Sequence, residues 1–193
     1  MVKWWANSEP FAPEEVQLLQ ALYQAHAQCV FRPNCSTVAC QQAGGGSRSI
    51  TNAYIGALAC LGEMHGPIED AYTFLAREGP WTGAFVIGKI PGWGNSFIKG
   101  RIDDAFLPVD QILEASFSKL HSRLREITDA LHARGKMVFP NPAAYTATVA
   151  LIIGLPRHLA PMLFVQARLE PWGMVFHQTI MQLTKPHKEE EAA

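Results

Sequence analysis

The sequence predicts an all-α domain interrupted by one long glycine-rich loop tract. Three observations lead there. Apolar residues recur every three or four positions through most of the chain. The starts of these periodic segments carry capping residues or proline. Only Ala84 to Ile87 reads as a short extended piece.

Pro13-Glu14-Glu15 opens the first expected helix, in which Val16, Leu18, Leu19, Leu22 and Tyr23 keep helical spacing to about Gln28. Asn34, ahead of Cys35-Ser36-Thr37, offers an N-cap to a second short helix, with Gly44-Gly45-Gly46 as its expected stop. Ser47 or Ser49 caps a third, which carries Ile50, Ala53, Tyr54, Ala57, Leu58 and Leu61. The run Gly62-Glu63-Met64-His65-Gly66-Pro67 then breaks the pattern. Pro67 suits a first helical position, and Glu69 and Asp70 suit the first turn of a helix reaching Arg77.

Residues 79–107 hold Gly79-Pro80, Gly83, Gly88, Pro91-Gly92, Gly94 and Gly100, a tract too long for a simple connection and therefore a candidate functional loop. Val109 to Ala133 reads as one amphipathic helix with Ile112, Leu113, Phe117, Leu120, Leu124, Ile127 and Leu131 on one side, ended by Gly135. Asn141-Pro142 starts an apolar helix that stops at Gly154-Leu155-Pro156. Another helix is expected from about His158 to Leu169, and Pro171 is expected to start the last. The apolar helices near the C-terminus have little polar face, which implies central burial or a subunit interface. The expected organisation is an extension over 1–12, one helical domain over 13–184 and a polar tail over 185–193.

Composition narrows the function classes. At 193 residues the chain can build one well-cored domain, and 48% hydrophobic against 17% charged residues suits generous burial or an oligomeric interface. A formal net charge of -1 argues against a nucleic-acid surface. No apolar run reaches the length of a membrane span, and the N-terminus lacks the apolar core of a secretory signal, so a cytoplasmic protein is expected. Cys29, Cys35, Cys40 and Cys60 match no paired zinc spacing; they are expected to be buried thiols, with no metal. The glycines at 44–46 lack the Gly-Lys-Ser/Thr ending of a phosphate loop.

His65 stands just ahead of an expected helix N-terminus, where the dipole disfavours an imidazolium and leaves a neutral imidazole able to donate or accept. Taken alone, a capping or packing histidine is the favoured reading.

Three tracts in order carry a resemblance. Leu58-Ala59-Cys60-Leu61-Gly62-Glu63-Met64-His65-Gly66-Pro67 resembles the helix and His-Gly turn of citrate synthases. Ile90-Pro91-Gly92-Trp93-Gly94-Asn95-Ser96-Phe97-Ile98-Lys99 resembles that family's Gly-Phe-Gly-His-Arg loop, with the following acidic-proline-arginine stretch reduced to Asp103-Asp104. Phe139-Pro140-Asn141-Pro142-Ala143-Ala144-Tyr145 is similar to its Tyr-Pro-Asn-Val-Asp-Phe-Tyr, followed by Gly154-Leu155-Pro156 and by Ala167-Arg168 with Trp172. Asn34-Cys35-Ser36-Thr37 fits the family's Asn-Ala-Ser-Thr, and the approach Gly44 to Arg48 is more like the shorter citryl-CoA lyases. The likeness runs from about residue 15 to 183 and covers the C-terminal half of a full citrate synthase.

The resemblance implies an acyl-CoA thioester and a small carboxylate as ligands, and carbon–carbon bond chemistry by general acid-base catalysis. His65 would donate to the enol oxygen, and Asn95 would stand where a histidine handles the keto carbonyl. Arg168 would hold substrate carboxylate, and Lys99 with Arg101 would meet a phosphate or carboxylate of the CoA ligand. The expected aspartate base corresponds to Ala143, which cannot take a proton. Glu63, Glu69 or Asp70 could replace it, although Glu69 and Asp70 also suit simple dipole stabilisation. Likewise Arg168 could pair with Glu170, and Lys99 and Arg101 could be solvated loop charges. The alternative to an enzyme is a non-catalytic CoA- or metabolite-binding, structural or regulatory subunit. Either form would act as a homodimer, or with another subunit that completes the cleft.

Overall fold

The computed structural model describes residues 2–3, 5–6, 9–32, 34–61, 67–77 and 90–184. Among these residues, eight α-helices supply nearly all regular structure. A minimal antiparallel pair, β1 (Val2–Lys3) with β2 (Glu9–Pro10), leads into α1 (Pro13–Val30). The pair is tied down by Lys3, whose ammonium lies 2.7 Å from the Glu15 carboxylate. Glu15 also accepts the Ala12 amide at 2.9 Å, satisfying a donor that the start of α1 would otherwise leave open.

α2 (Cys35–Ser47) starts as expected, with the Asn34 side chain accepting the Thr37 amide at 3.1 Å. It does not stop at its glycines. A Cβ on Gly44 would come within 2.6 Å of Ala53 Cβ and 2.7 Å of the Phe176 ring, and one on Gly45 within 3.0 Å of Thr179. The glycine run therefore sets how closely α3 (Ile50–Ala59) and α8 (Pro161–Leu183) approach, and the chain leaves α2 later, at Arg48 in the left-handed region. Ser49, rather than Ser47, caps α3 by accepting the Asn52 amide at 3.3 Å.

α4 (Ile68–Ala76) follows Pro67, which sits at the capping position one residue before the first turn. Its Ile68, Ala71, Phe74 and Leu75 are buried. A 3₁₀ turn (Asp104–Phe106) leads into α5 (Leu107–Ser116) and α6 (Ser118–His132). The single helix expected over this stretch is thus two, broken at Phe117 with φ -133 and ψ 45. No glycine or proline marks the break. Packing of α5 on α1, with α6 returning against α5, decides it.

α7 (Pro142–Ile152) is the central helix, and every residue from Ala143 to Ala150 is buried. Tyr145 at its heart donates to Asp110 at 2.9 Å, which relieves the only polar atom of a ring packed on Phe106. α8 replaces two expected helices. Pro171 lies inside it instead of starting a new one, removing one backbone donor while Leu163, Phe164, Ala167, Trp172 and Val175 keep one continuous buried stripe. Trp172 and Val175 close a second small core with Val30, Cys40, Ala53 and Ala57.

Two of the four cysteines depart from expectation. Cys29 and Cys40 are buried, whereas Cys35 is exposed and Cys60 half-buried, because both stand at helix ends. The expected extended piece at 84–87, the turn at 62–66 and the tail at 185–193 lie outside the described residues. Among the described residues, no helix is long and apolar enough to cross a membrane.

Candidate functional site

The loop from Ile90 to Arg101 is stitched to the residues that lead into α7. Gly92 takes φ +90, and a Cβ there would lie 2.9 Å from Ala144, so both conformation and proximity require glycine. Trp93 turns inward and donates its indole N–H to Thr128 at 3.0 Å. The Gly94 amide donates to the Phe139 carbonyl at 2.9 Å, and the Asn141 amide to the Gly92 carbonyl at 2.8 Å. The Asn141 side chain completes the join. Its NH2 donates to Gly94 at 2.8 Å while its oxygen accepts the Ala143 amide at 2.9 Å as the cap of α7.

Beyond this join, the Asn95 oxygen accepts the Phe97 amide at 2.9 Å and turns the chain. Asn95, Lys99 and Arg101 line one open cavity of about 200 Å³ together with Asp103, Met137 and Phe139. Of these, Asp103 is only 5% exposed. Both its oxygens accept from Arg32 Nη1 at 2.7 Å, and one accepts the Ala105 amide at 3.0 Å. Arg101 pairs with Asp104 on the outer side, which lowers the Asp104 carboxyl below the usual range. Lys99 has no acidic partner among the described residues.

Arg168 lies apart from that cavity. It sits on α8, 3% exposed, with its guanidinium 3.9 Å above the Phe164 ring. Nη1 reaches the Ser36 hydroxyl at 3.4 Å, and Nε has no acceptor among the described residues. The expected alternative pairing with Glu170 does not form. Burial lowers its pKa to about 10, so it remains a cation at neutral pH. Nothing described nearby balances that charge. Burial and the neighbouring Asp103 push the Cys29 thiol up to about 11, which keeps it neutral. His26 is held well below its ordinary value by burial and by Arg168, and its Nε2 lies 2.7 Å from the Thr146 hydroxyl. Cys29 joins the two regions, its Sγ 3.9 Å from Asp103.

The other sequence candidates are now placed. Ala143 is 3% exposed at the start of α7 and offers only a methyl group. Glu69 lies 3.5 Å from Arg157 and Asp70 is exposed in the first turn of α4, so both serve the helix start. His65 and Glu63 lie outside the described residues. Asn95, Lys99 and Arg101 are therefore brought together, and Arg168 is not among them. Ser36 and Phe164 were given no role by sequence reasoning, and Asp103 appeared only as the remnant of an acidic-proline-arginine stretch. Ser36 lies inside the quoted Asn-Cys-Ser-Thr tract, whereas nothing local marks Phe164 as the ring under a distant arginine.

Solved structures with this helical arrangement exist. The citryl-CoA lyase of Hydrogenobacter thermophilus superposes with a TM-score of 0.72 and 17% identity, over 96% of this chain and 78% of the lyase. The chain has the citrate-synthase-like fold. Citrate synthase from Thermotoga maritima MSB8 matches with a TM-score of 0.72 and 20% identity, over 95% of this chain and 55% of that enzyme. The citrate synthase of Thermoplasma acidophilum, solved with carboxymethyl coenzyme A and oxaloacetate, matches with a TM-score of 0.67 and 20% identity, over 92% and 51%. This version of the fold thus spans about half the length of the two citrate synthases and most of the lyase. Neither a family model nor a curated protein matches its sequence.

Proposed function

We propose that this protein binds an acyl-CoA thioester and a small carboxylate such as a 2-keto acid, and that its chemistry is making or breaking the carbon–carbon bond between them. The observation that carries the reading is Arg168, a buried cation without a carboxylate among the described residues. A desolvated, unpaired charge is costly unless a ligand or partner supplies the opposite charge. A planar guanidinium suits a carboxylate in two-pronged contact. This reading needs the Asn95 loop to approach Arg168, so that Asn95 donates its NH2 to the keto oxygen of the carboxylate held there, and His65 donates to the thioester oxygen as it gains charge. Lys99 and Arg101 meet a phosphate of the CoA.

The proton must then be taken by a group other than Ala143. Ala143 favours a second reading, in which the same ligands bind and no bond changes. In both readings a second copy of the chain or another subunit completes the cleft, which suits a chain about half as long as the citrate synthases it resembles in fold.

Calorimetry with acetyl-CoA, oxaloacetate and citrate tests the binding. Micromolar carboxylate affinity should fall at least about tenfold in Arg168→Met, because a charge-assisted pair contributes about 1.5–3 kcal/mol. The substitution exchanges a buried charge for an apolar side chain, so the fold should persist. CoA affinity should instead fall in Lys99→Ala with Arg101→Ala. Binding of none of these ligands sinks both readings. Binding without turnover of citryl-CoA, or of acetyl-CoA with oxaloacetate, selects the second.

A further inference from the structure

We propose that Cys35 and Cys60 form a dithiol–disulfide couple, closed by exchange with a low-molecular-weight disulfide such as oxidised glutathione. This inference rests on the helix pair α2 and α3 and is independent of the ligand reading. The two helices run antiparallel at very close range, since a Cβ on Gly56 would come within 2.8 Å of the Ala39 carbonyl oxygen. One turn further along each helix, four residues before Ala39 and four after Gly56, stand Cys35 and Cys60. Cys35 is the first residue of α2 and Cys60 the capping residue of α3, so the two thiols mark the open end of the hairpin.

The Cys60 side chain touches the Cys35 backbone. The Cys60 thiol lies 3.6 Å from the backbone carbonyl of Cys35, on the same residue that bears the other sulfur. Cys35 is exposed and Cys60 half-buried, so a small disulfide can reach the first and the second waits beside it. Cys29 and Cys40 are buried and unavailable to the same reagent.

The chemistry balances in two steps. The Cys35 thiolate attacks one sulfur of the small disulfide, forming a mixed disulfide and expelling one small thiolate. The Cys60 thiolate then attacks the Cys35 sulfur, closing the protein disulfide and expelling the second. The two protein thiol protons end on the two small thiols; the protein pair is oxidised and the small disulfide reduced. Burial and the neighbouring Cys60 hold the Cys35 thiol above its ordinary range, so closure accelerates as pH rises from 7 to 9. Closure would pin the start of α2, where Ser36 reaches Arg168.

The test uses the full chain, reduced, freed of reductant and incubated with oxidised glutathione at pH 8. After alkylation under denaturing conditions, peptide mapping should show one Cys35–Cys60 linkage, reversed by dithiothreitol, with Cys29 and Cys40 still alkylated. Cys60→Ser should stop at a persistent glutathione adduct on Cys35, and Cys35→Ser should form no linkage. The oxidised wild type should melt at a higher temperature than its reduced form, with no such gap in either variant. A lasting glutathione adduct on wild-type Cys35, no reaction at all, a linkage through Cys29 or Cys40, or a Cys35–Cys35 bond between chains would each overturn the proposal.

Discussion

Asn141 joins two parts of the chain that sequence separates by almost fifty residues: its side-chain NH2 donates to the Gly94 carbonyl at 2.8 Å while its oxygen caps α7. One side chain thus aims the Asn95–Arg101 loop and starts the central helix. Asn141→Ala removes both roles. A lost cap costs about 1 kcal/mol, and a lost loop hydrogen bond about another. Urea unfolding should show a loss of about 2 kcal/mol with an unchanged m-value, and a stability within 0.5 kcal/mol of wild type, on the order of an ordinary surface substitution, would refute the joint role.

Gly44 and Gly46 should respond to alanine with opposite signs. At Gly44 the added methyl group meets Ala53 and Phe176, an overpacking that costs about 1–3 kcal/mol. At Gly46 no atom of the described residues lies within 4 Å, so the better helix propensity of alanine should stabilise by up to about 1 kcal/mol. Thermal melts of the two variants give the comparison; equal shifts would show that the glycine run is not a packing surface.

Stability should form a plateau between about pH 6.5 and 9 for two buried groups. His26 is depressed in the folded state, so the unfolded chain takes up the proton first and stability falls as pH drops below 6.5, by at most about 1.4 kcal/mol per unit for one group. Cys29 is raised from 9.0 to about 11, so the unfolded thiol ionises first and stability falls as pH climbs through that window. Urea midpoints across pH 5 to 11 read both limbs. His26→Gln should flatten the acid limb and Cys29→Ala the alkaline one, and a limb unchanged in its variant removes that group from the account.

Ala143→Asp should restore a base at the start of α7, where the helix dipole favours a carboxylate. If the proposed acyl-CoA site is correct, exchange of the acetyl-CoA methyl protons with deuterated solvent should rise by about 10²–10⁴-fold, the usual contribution of a positioned base. Bound acetyl-CoA that exchanges no faster in the variant would count against the placement of its acyl carbon beside residue 143.

Much of the fold was legible locally. Asn34, the alternatives Ser47 and Ser49, and Asn141 announced three helix starts because a capping side chain acts on amides two or three residues away; the structure selects Ser49. The apolar run at 143–150 announced either central burial or a subunit interface because little polar face remained to meet water, and the fold places it centrally. What failed locally was decided by neighbours. Phe117 breaks a helix without a breaking residue, and Pro171 fails to break one, because long-range packing outweighs propensities of this size. The glycines of α2 read as a stop, and their true role needed the positions of Ala53, Phe176 and Thr179.

The site divides in the same way. Sequence by itself determined the chemical inventory, namely a loop carrying Asn95, Lys99 and Arg101, an arginine at 168, and an alanine at the expected base. It also determined the all-α class, because periodicity and caps are properties of neighbouring residues. Only the tertiary structure decided that three of those side chains share one cavity while Arg168 lies apart, buried over Phe164 and beside Ser36. Only the tertiary structure set Cys60 against Cys35. Burial and proximity depend on residues far away in the chain, and the energy of a charge or a thiol follows from those surroundings more than from its own identity.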